Sequence, residues 1–477
     1  MTLRPLSLAL ALALTAVGAS GPAAASDLMD AYRMARDSDP QLGAAESQKL
    51  AQGEGVVQSR AALLPQISAS ASLNDSDRDS TSISTVPNED GTVGFGLSKS
   101  NSDTRSRSYS FDLRQSLYDR TNYTRLHASR ARADQSAAEY EAALDGLMTR
   151  TAQAYFAVLT AIDSVVLSRA EQRAVGRQLD QAEQRYEVGL TAITDVHEAR
   201  ARHDSARANV IAAENALDDA REALSEITGT WLENIKGLES NFQPMLPEPQ
   251  KIDDWVTEAL DSNPALQARE LAVIAANQDI GTARAGHLPT LSASVGYSDN
   301  ASWGTFTSNG LSFPANSLSD GPTIGISLSV PIFSGFATRS RVRQAVYTRD
   351  AVEDQLVQQR RAVTRQTRNA YRALIAGISS IDARTQSVVS AQSALDATEA
   401  GFEVGTRTIV DVLQSQQQLY TAQRELSRAR HDFLVNTLNL KAAAGTLDVE
   451  DIKSVNQHLT VNAEAALAAA ETEPLDD

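Results

Sequence analysis

The stretch LPQISAS at residues 64–70 occurs again, 224 positions later, as LPTLSAS at residues 288–294. A second pair of matches, VGLTAITDV at 188–196 and VGTRTIVDV at 404–412, is separated by 216 positions. Constant offsets over long spans indicate an internal duplication, which has to be recognised before a fold is assigned. The chain is therefore predicted to contain the same structural unit twice.

The duplication and the two termini divide the chain into four segments. Residues 1–25 have the composition of a secretory signal peptide, with a positive charge at Arg4, a 12-residue apolar run and a small-residue cleavage site. The first structural repeat is predicted at 26–246 and the second at 247–447, and residues 448–477 end in an acidic tail. The apolar run is too short to cross a bilayer. Because no later apolar stretch reaches about 18 residues, we expect no transmembrane helix in the mature chain.

The composition argues against several classes of protein. The chain has no Cys among its 477 residues, so a secreted form gains no stability from disulfides. A net charge of −17 argues against nucleic acid as a partner, because phosphate binding requires clustered Lys and Arg. There is no phosphate-binding loop and no dinucleotide fingerprint, and the six His are scattered. We therefore predict no catalytic site, no metal site and no cofactor.

Each repeat follows the same predicted order of elements. A long helix, at 28–64 and again at 255–288, ends at a proline, which cannot continue it. A strand, a polar loop and a second strand follow, and the loop of the first repeat is the longer one, at 74–106. A very long helix comes next, is interrupted near a Val-Gly pair, and is followed by a shorter helix.

The predicted strands alternate apolar and polar residues with a period of two. Ile324, Ile326 and Leu328, for example, alternate with Gly325 and Ser327. This pattern fits a membrane barrel with lipid outside and water inside, and it also fits a soluble sheet on a core. Four strands are too few for a closed outer-membrane barrel, because open edges leave backbone groups unpaired in lipid. Several chains would then share one barrel, and closure alone permits a dimer or a trimer.

The long helices carry the spacing of a coiled-coil seam. Leu144, Leu147, Thr151 and Ala154 follow alternating steps of three and four residues. If residues 121–186 are helical throughout, they span roughly 100 Å at 1.5 Å per residue. The core of an ordinary helical bundle has the same local pattern, although its helices are seldom this long.

These features resemble the TolC family of outer-membrane efflux proteins. The likeness rests on the two Val-Gly stretches quoted above and, in the second repeat, on GHLPTL at 286–291 and VVSAQS at 388–393. It covers about 27–455. The resemblance implies a mixed α and β membrane protein, a homotrimer with a 12-stranded outer-membrane barrel built from four strands per chain. The barrel would continue into a long α-helical coiled-coil tunnel in the periplasm.

The resemblance also implies an equatorial belt of mixed structure around the tunnel, which we place at 231–253 and after Leu447. Residues 464–477 are rich in Ala and acid, and we expect them to fray. The implied function is an outer-membrane exit duct for tripartite efflux or type I protein secretion. Its implied partners are a periplasmic adaptor protein, an inner-membrane transporter of the RND or ABC type, and outer-membrane lipid. The alternative is a periplasmic coiled-coil adaptor or other structural protein, which would lack the strand pairs.

Asp195 and Asp411 hold equivalent positions in the two repeats, just after the Val-Gly turns. One interpretation is a carboxylate favoured by the positive end of a helix dipole, with Thr194 or Thr408 as the helix cap. The family resemblance implies a gate, in which carboxylates ring the periplasmic constriction. In its closed state Asp195 and Arg407 would link neighbouring helices.

Two positions depart from the family's gate. The family commonly has a second aspartate one turn after Asp411, where this chain has Gln414, and a tyrosine where this chain has Phe402. Glu198 is the first-repeat equivalent of Gln414, and it would restore part of the acidic ring.

The resemblance also assigns adaptor docking to the two turns, at Gly189, Leu190 and Thr191 and at Gly405 and Thr406. A glycine at a helix break has a structural role as well, because it tolerates a positive φ.

Overall fold

The computed structural model describes residues 26–87, 91–239, 241–308 and 310–472. The predicted signal peptide at 1–25 and the end of the acidic tail at 473–477 lie outside the described residues. The chain divides into two compact units. We call residues up to 47, 138–267 and from 357 onward the helical unit, and residues 48–137 and 268–356 the sheet unit.

The elements of the first half are α1 Leu28–Ser38, α2 Pro40–Ala61, β1 Gln66–Pro87, β2 Val93–Tyr118, α3 Arg120–Glu187 and α4 Ile193–Thr228. A short strand, β3 Lys236–Leu238, follows. The second half contains α5 Ile252–Ser262, α6 Pro264–Ala285, β4 Thr290–Ser308, β5 Leu311–Pro314, β6 Ser317–Ser329, α7 Ala337–Glu403 and α8 Ile409–Ala444. The chain continues with α9 Val449–Asn456, β7 Leu459–Asn462 and α10 Ala463–Thr472.

The two halves match in element length as well as in order. The long helices α3 and α7 have 68 and 67 residues, and the helices that follow them, α4 and α8, both have 36. The prediction of a very long helix before the first Val-Gly pair is confirmed, and residues 121–186 are helical throughout. At 1.5 Å per residue each long helix extends over roughly 100 Å.

The prediction of a single helix at 28–64 and at 255–288 is wrong, because each segment contains two helices. Asp39 and Asn263 interrupt them with extended backbone, at φ −65°, ψ 118° and φ −66°, ψ 118°. Pro40 and Pro264 come next, and a residue before proline is disfavoured in the α region by a clash with the proline ring. Both interrupting side chains then cap the following helix through its third residue.

The prediction of a loop at 74–106 is also wrong, because β1 and β2 pair over almost all of it. The antiparallel register runs from Gln66 opposite Arg114 to Pro87 opposite Val93. The middle of this hairpin has polar residues on both faces, so the period-two signal is absent there. Backbone hydrogen bonds do not require an apolar face, and they continue through the polar stretch.

The main sheet is antiparallel, and its long strands lie in the order β1, β2, β4, β6. One row of paired residues crosses all four strands: Ile67, Leu113, Val295 and Ile324. The next row on the opposite face is polar or small, and it consists of Ser68, Asp112, Gly296 and Thr323. The sheet therefore has an apolar and a polar face. Ile324 and Ile326 on the apolar face are 78% and 72% exposed in the single chain.

Away from the turns, side-chain contacts in the helical unit give the lateral order α4, α3, α8, α7, and near the turns α4 also packs directly on α8. Arg169 of α3 pairs with Glu214 of α4 at 2.6 Å. The α3–α8 contact includes Gln153 with Asn439 at 3.4 Å and Thr160 with His431 at 2.8 Å. Helix α7 contacts α8, where Thr367 donates to the Ala443 carbonyl at 3.4 Å and Thr398 contacts Ser415 at 3.3 Å.

We expected no transmembrane helix, and one described helix, α3, does contain a stretch long and apolar enough to cross a membrane by length and composition. Half of that stretch is buried within the chain. Leu147, Phe156 and Leu159 are among the fully buried side chains of α3. Packing against neighbouring helices therefore accounts for much of its apolar character.

The two segments assigned to an equatorial belt pair with each other, since β3 and β7 form a two-stranded sheet. The prediction that residues from 464 onward fray is wrong for the described part, which forms α10. Glu464 binds Arg221 at 2.8 Å, and Glu471 binds Arg169 at 3.1 Å. These ion pairs hold the acidic helix against α3 and α4.

The two faces of the sheet are expected to respond differently to a charge. Ile326→Arg places a charge on the apolar face and should reduce insertion into outer-membrane lipid by about 2–4 kcal/mol near the midplane. Ser327→Arg, one residue further on, lies on the polar face and should insert normally. Recovery of folded protein in the outer-membrane fraction measures both. Equal loss in the two variants would contradict the assignment of the faces.

The glycine that ends α8 should be far less replaceable than the glycine that ends α7. Gly405 and Gly445 have φ of +77° and +71°, so an alanine is strained by roughly 1–2 kcal/mol at either position. A Cβ on Gly405 meets open space, whereas on Gly445 it comes within 2.5 Å of the Asn263 Cα. Thermal unfolding should therefore show a clearly larger loss for Gly445→Ala than for Gly405→Ala. Equal losses of thermal stability in the two variants would mean that backbone strain alone, and not the contact with Asn263, determines the cost of each alanine.

Candidate gate site

The turn between α3 and α4 is formed by backbone hydrogen bonds around Gly189. Its N–H donates to the Tyr186 carbonyl at 2.9 Å, and the Leu190 N–H donates to the Arg185 carbonyl at 2.8 Å. Gly189 has φ of +76°, a conformation that glycine adopts without a steric penalty. This is the arrangement that satisfies the last carbonyls of a helix.

The turn between α7 and α8 has the same geometry. The N–H groups of Gly405 and Thr406 donate to the carbonyls of Phe402 and Gly401 at 3.1 Å and 2.8 Å. The stem of Arg407 lies against Gly401, since a Cβ at that glycine would be 2.8 Å from the Arg407 Cγ. Gly401 therefore leaves room for the arginine at the turn. No sequence pattern indicated this contact, which depends on the chain reversing direction at Gly405.

The two candidate gate carboxylates are held differently. Thr408 caps α8, and the backbone N–H and hydroxyl of Thr408 donate to the Asp411 carboxylate at 3.0 Å and 2.9 Å. These hydrogen bonds, with a smaller contribution from Arg407, hold the pKa of the Asp411 carboxyl below its usual range. The prediction of Thr408 as a cap is confirmed.

The prediction of Thr194 as a cap is wrong. Helix α4 begins at Ile193, two residues earlier than a Thr194 cap requires, and its N-cap is Ala192, whose methyl group cannot accept a hydrogen bond. Thr194 lies inside the helix. The hydroxyl of Thr191 binds the Asp195 carboxylate instead, so a residue assigned to adaptor docking orients a residue assigned to the gate.

Phe402 joins the packing of both helix pairs. It contacts one apolar cluster formed by α3, α4 and α8, which includes Val196 and Leu413, and a second cluster that includes Leu395. The guanidinium of Arg185 lies 4.8 Å from the centre of the Phe402 ring. This cation–π contact links the end of α3 to the end of α7. A tyrosine hydroxyl is absent from this position, and the ring itself connects the helices.

Gln414 and Glu198 lie on the helices after the turns. Gln414 is exposed, and Glu198 is half-buried and pairs with Arg202 at 3.5 Å, one turn further along α4. Arg202 also donates to Gln417 of α8 at 3.2 Å. The charge of Glu198 is therefore partly offset within its own chain.

The structure brings both turns to one end of the helical unit, where α4 and α8 pack together around Ile409 and Val196. Within the described residues of one chain, Asp195 forms no ion pair with Arg407. Any link between them would have to join different copies, and it stays a prediction. The described residues also contain no group of three or more His, Asp or Glu that could hold a metal ion.

Apolar side chains are exposed at both turns. Val188 and Leu190 are 70% and 71% exposed, and Val404 is 76% exposed at the position equivalent to Val188. Glycines that face open space flank them. The turns therefore present small, apolar and sterically accessible surfaces.

Comparisons with known proteins identify the class. The model of the outer membrane efflux protein family matches residues 31–230 and 255–446. Outer membrane protein TolC of Vibrio cholerae is 37% identical over 437 residues, which cover 92% of this chain and 94% of that protein. The alkaline protease secretion protein AprF of Pseudomonas aeruginosa is 31% identical, over 90% of this chain and 86% of that protein.

The fold matches solved outer-membrane channels. The CmeC outer membrane channel of Campylobacter jejuni superposes with a TM-score of 0.72 at 18% identity, over 91% of this chain and 90% of that chain. CusC superposes with the same TM-score, over 88% of this chain and 92% of that chain. The chain belongs to the outer membrane efflux protein family. It is an outer-membrane exit duct for efflux and secretion, which extends into the periplasm, and its family is one of channels and not of enzymes.

The two threonines should differ in their contribution to stability. Thr408→Ala removes the cap of α8 and should cost about 1 kcal/mol, while Thr194→Ala should cost little, because Thr194 caps nothing. The folded pKa of Asp411 lies below its unfolded value, so its stabilisation is present above about pH 4 and is lost as the pH falls through the folded pKa. Amide exchange at the start of α8 for Thr408→Ala, and at the start of α4 for Thr194→Ala, measures these effects. Equal exchange in the two variants would contradict the cap assignment.

Proposed function

We propose that three copies of the chain form one duct with a shared 12-stranded barrel, and that the two turns form its periplasmic gate. The observation that carries the proposal is the sheet, in which β1 and β6 have one neighbour each among the described strands. An unpaired edge in lipid costs several kcal/mol for each backbone group. Pairing β1 of one copy with β6 of the next removes every edge. The shared barrel has the apolar row outside and the polar row inside.

The gate acts through the packing of the two helix pairs. In the closed state Asp195 of one copy and Arg407 of the next form the link between copies. The carboxylates of Asp411 ring the constriction and favour cations. Opening moves α7 and α8 outward like an iris. Phe402 and Gln414 replace polar groups of the family's gate, so this gate relies more on packing and on the Arg185 contact.

The turns also serve as the docking site of a periplasmic adaptor, at Gly189, Leu190, Thr191, Gly405 and Thr406. Support for this assignment comes from the exposed apolar side chains beside the glycines, which a helical hairpin tip would cover. The adaptor connects the duct to an inner-membrane transporter of the RND or ABC type. A periplasmic adaptor as the identity of this chain itself is disfavoured by the two-faced sheet.

The proposal includes the division of the mature chain into repeats at 26–246 and 247–447 and a C-terminal segment at 448–477. Equivalent turns from the two repeats then alternate around the axis of the trimer. Six turns form the periplasmic end, and each adaptor contact is present in two related versions. The duct is passive, and transport energy comes from the inner-membrane transporter.

The test of the gate is Arg407→Ala in purified oligomers in planar bilayers. Loss of the link should raise the single-channel conductance several-fold, because the closed state loses a contact in each copy. Arg428→Ala is the control, since Arg428 is an exposed arginine of α8 that pairs with Asp432 of the same helix. Phe402→Tyr should lower the conductance or leave it unchanged. An unchanged conductance in Arg407→Ala would mean that other residues hold the closed state. The assignment of the chain as an exit duct would still stand.

A further inference from the structure

Helix α7 carries four arginines on one flank. Arg361, Arg365, Arg368 and Arg372 are spaced by four, three and four residues, so their side chains lie along one line of the helix. All four are exposed in the single chain, and they line a groove of about 370 Å³. Arg368 pairs with Asp253 at 3.3 Å, and that carboxylate is 81% exposed. We call these four residues the arginine flank.

The arginine flank points away from the helix that α7 packs on within its own chain. Val363, Thr367 and Leu374 are buried and face α8, where Thr367 donates to the Ala443 carbonyl. At about 100° per residue, the centre of the arginine flank lies roughly 150° around the helix from this seam. The flank therefore faces away from α8, and α5 reaches it at one point, where Asp253 pairs with Arg368.

Helix α4, at the other end of the lateral order α4, α3, α8, α7, carries the opposite charge. Asp219, Glu222 and Glu226 are spaced by three and four residues and are exposed. Their flank also lies on the far side from the buried seam of α4, which includes Leu217 and Leu224. We call these three residues the carboxylate flank. The two free sides of the helical layer thus have complementary charges.

The duplication supplies the register between the flanks. Within one chain, α3 and α8 contact each other through Gln153 with Asn439 and Thr160 with His431. In this antiparallel register residues 149, 152 and 156 of α3 lie level with 442, 438 and 435 of α8. Adding 216 to an α3 residue number gives the equivalent residue of α7, and subtracting 216 from an α8 residue number gives the equivalent residue of α4. In a closed ring, α7 of one copy contacts α4 of the next copy in the same register as α3 contacts α8 within one chain.

In this register, residues of the arginine flank lie opposite residues of the carboxylate flank. Residues 149, 152 and 156 become Arg365, Arg368 and Arg372, and residues 442, 438 and 435 become Glu226, Glu222 and Asp219. Three consecutive positions of the arginine flank therefore meet all three members of the carboxylate flank.

We propose that the arginine flank of each copy docks on the carboxylate flank of the next copy, and that this contact determines which surfaces close the helical ring. The inference rests on the proposed assembly of several copies into one duct. Each chain has a net charge of −17, so copies repel each other over most of their surface. A local row of opposite charges overcomes this repulsion in one orientation and rejects others, because like charges placed together are costly.

Charge reversal tests the contact directly. Arg365→Glu and Glu226→Arg each place two like charges together at every junction. Each should weaken the contact by about tenfold or more in dissociation constant and lower the temperature at which the detergent-solubilised oligomer dissociates. The double variant restores opposite charges and should recover most of the loss. A double variant no more stable than the weaker single variant would overturn the proposal.

Disulfide cross-linking tests the register, because the natural chain has no Cys. Arg372→Cys combined with Asp219→Cys should give covalent oligomers that end at three chains under mild oxidation. Arg372→Cys with Asp218→Cys is the matched control, since Asp218 is the adjacent residue and points about 100° away. Equal cross-linking in the two pairs would overturn the docking.

The outcomes separate this inference from the proposed function. Intact three-chain oligomers with no preference for the 372–219 pair would refute the docking and leave the shared duct in place. Natural protein that never forms oligomers in the outer membrane would refute both.

Discussion

The structure depends on one constraint, which is that backbone N–H and C=O groups in lipid must find partners within protein. A four-stranded sheet with an apolar face satisfies all of them except those at its two edges, on β1 and β6. No side chain can remove that deficit. The proposed assembly meets the constraint, and it requires the rest of the molecule to bring identical copies into the correct orientation. In that assembly the long helices do this, because they extend the contact between copies over many turns.

Proline and glycine determine where those helices stop. Pro40 and Pro264 force the residue before them out of the helix, and Gly229 and Gly445 end α4 and α8 with φ of +71°. Gly445 lies against the Asn263 backbone, so the end of α8 is in contact with the break between α5 and α6. The two interruptions of the helical layer are therefore packed together, which keeps the irregular backbone hydrogen-bonded and localised.

Much of this fold follows from the sequence, since the repeats, the long helices, the two turns and the four strands all leave a periodic pattern. The errors have physical causes. The polar middle of the β1–β2 hairpin has no amphipathic signal, although its backbone pairs as well as any other. The prediction of Thr194 as the cap of α4 is wrong because Ala192, and not Thr194, is equivalent to Thr408 at the offset of 216. The Arg185 contact with Phe402 joins residues more than 200 positions apart, and no local pattern records it.

The two repeats have diverged according to their position in the layer. Helices α3 and α8 lie inside one chain, and their contact includes the buried apolar residues Ala152, Phe156 and Leu438, which are 1–2% exposed. Helices α7 and α4 lie at the two sides, and the equivalent positions hold arginines and carboxylates. An apolar contact inside a chain forms during folding, so its residues are no longer exposed in the folded single chain. The same apolar residues at the outer side of α4 or α7 would expose an aggregation-prone surface before assembly, whereas charged residues there keep the single chain soluble. In the proposed docking the register is the same at both contacts, so a single duplicated geometry serves folding with apolar residues and assembly with charged ones.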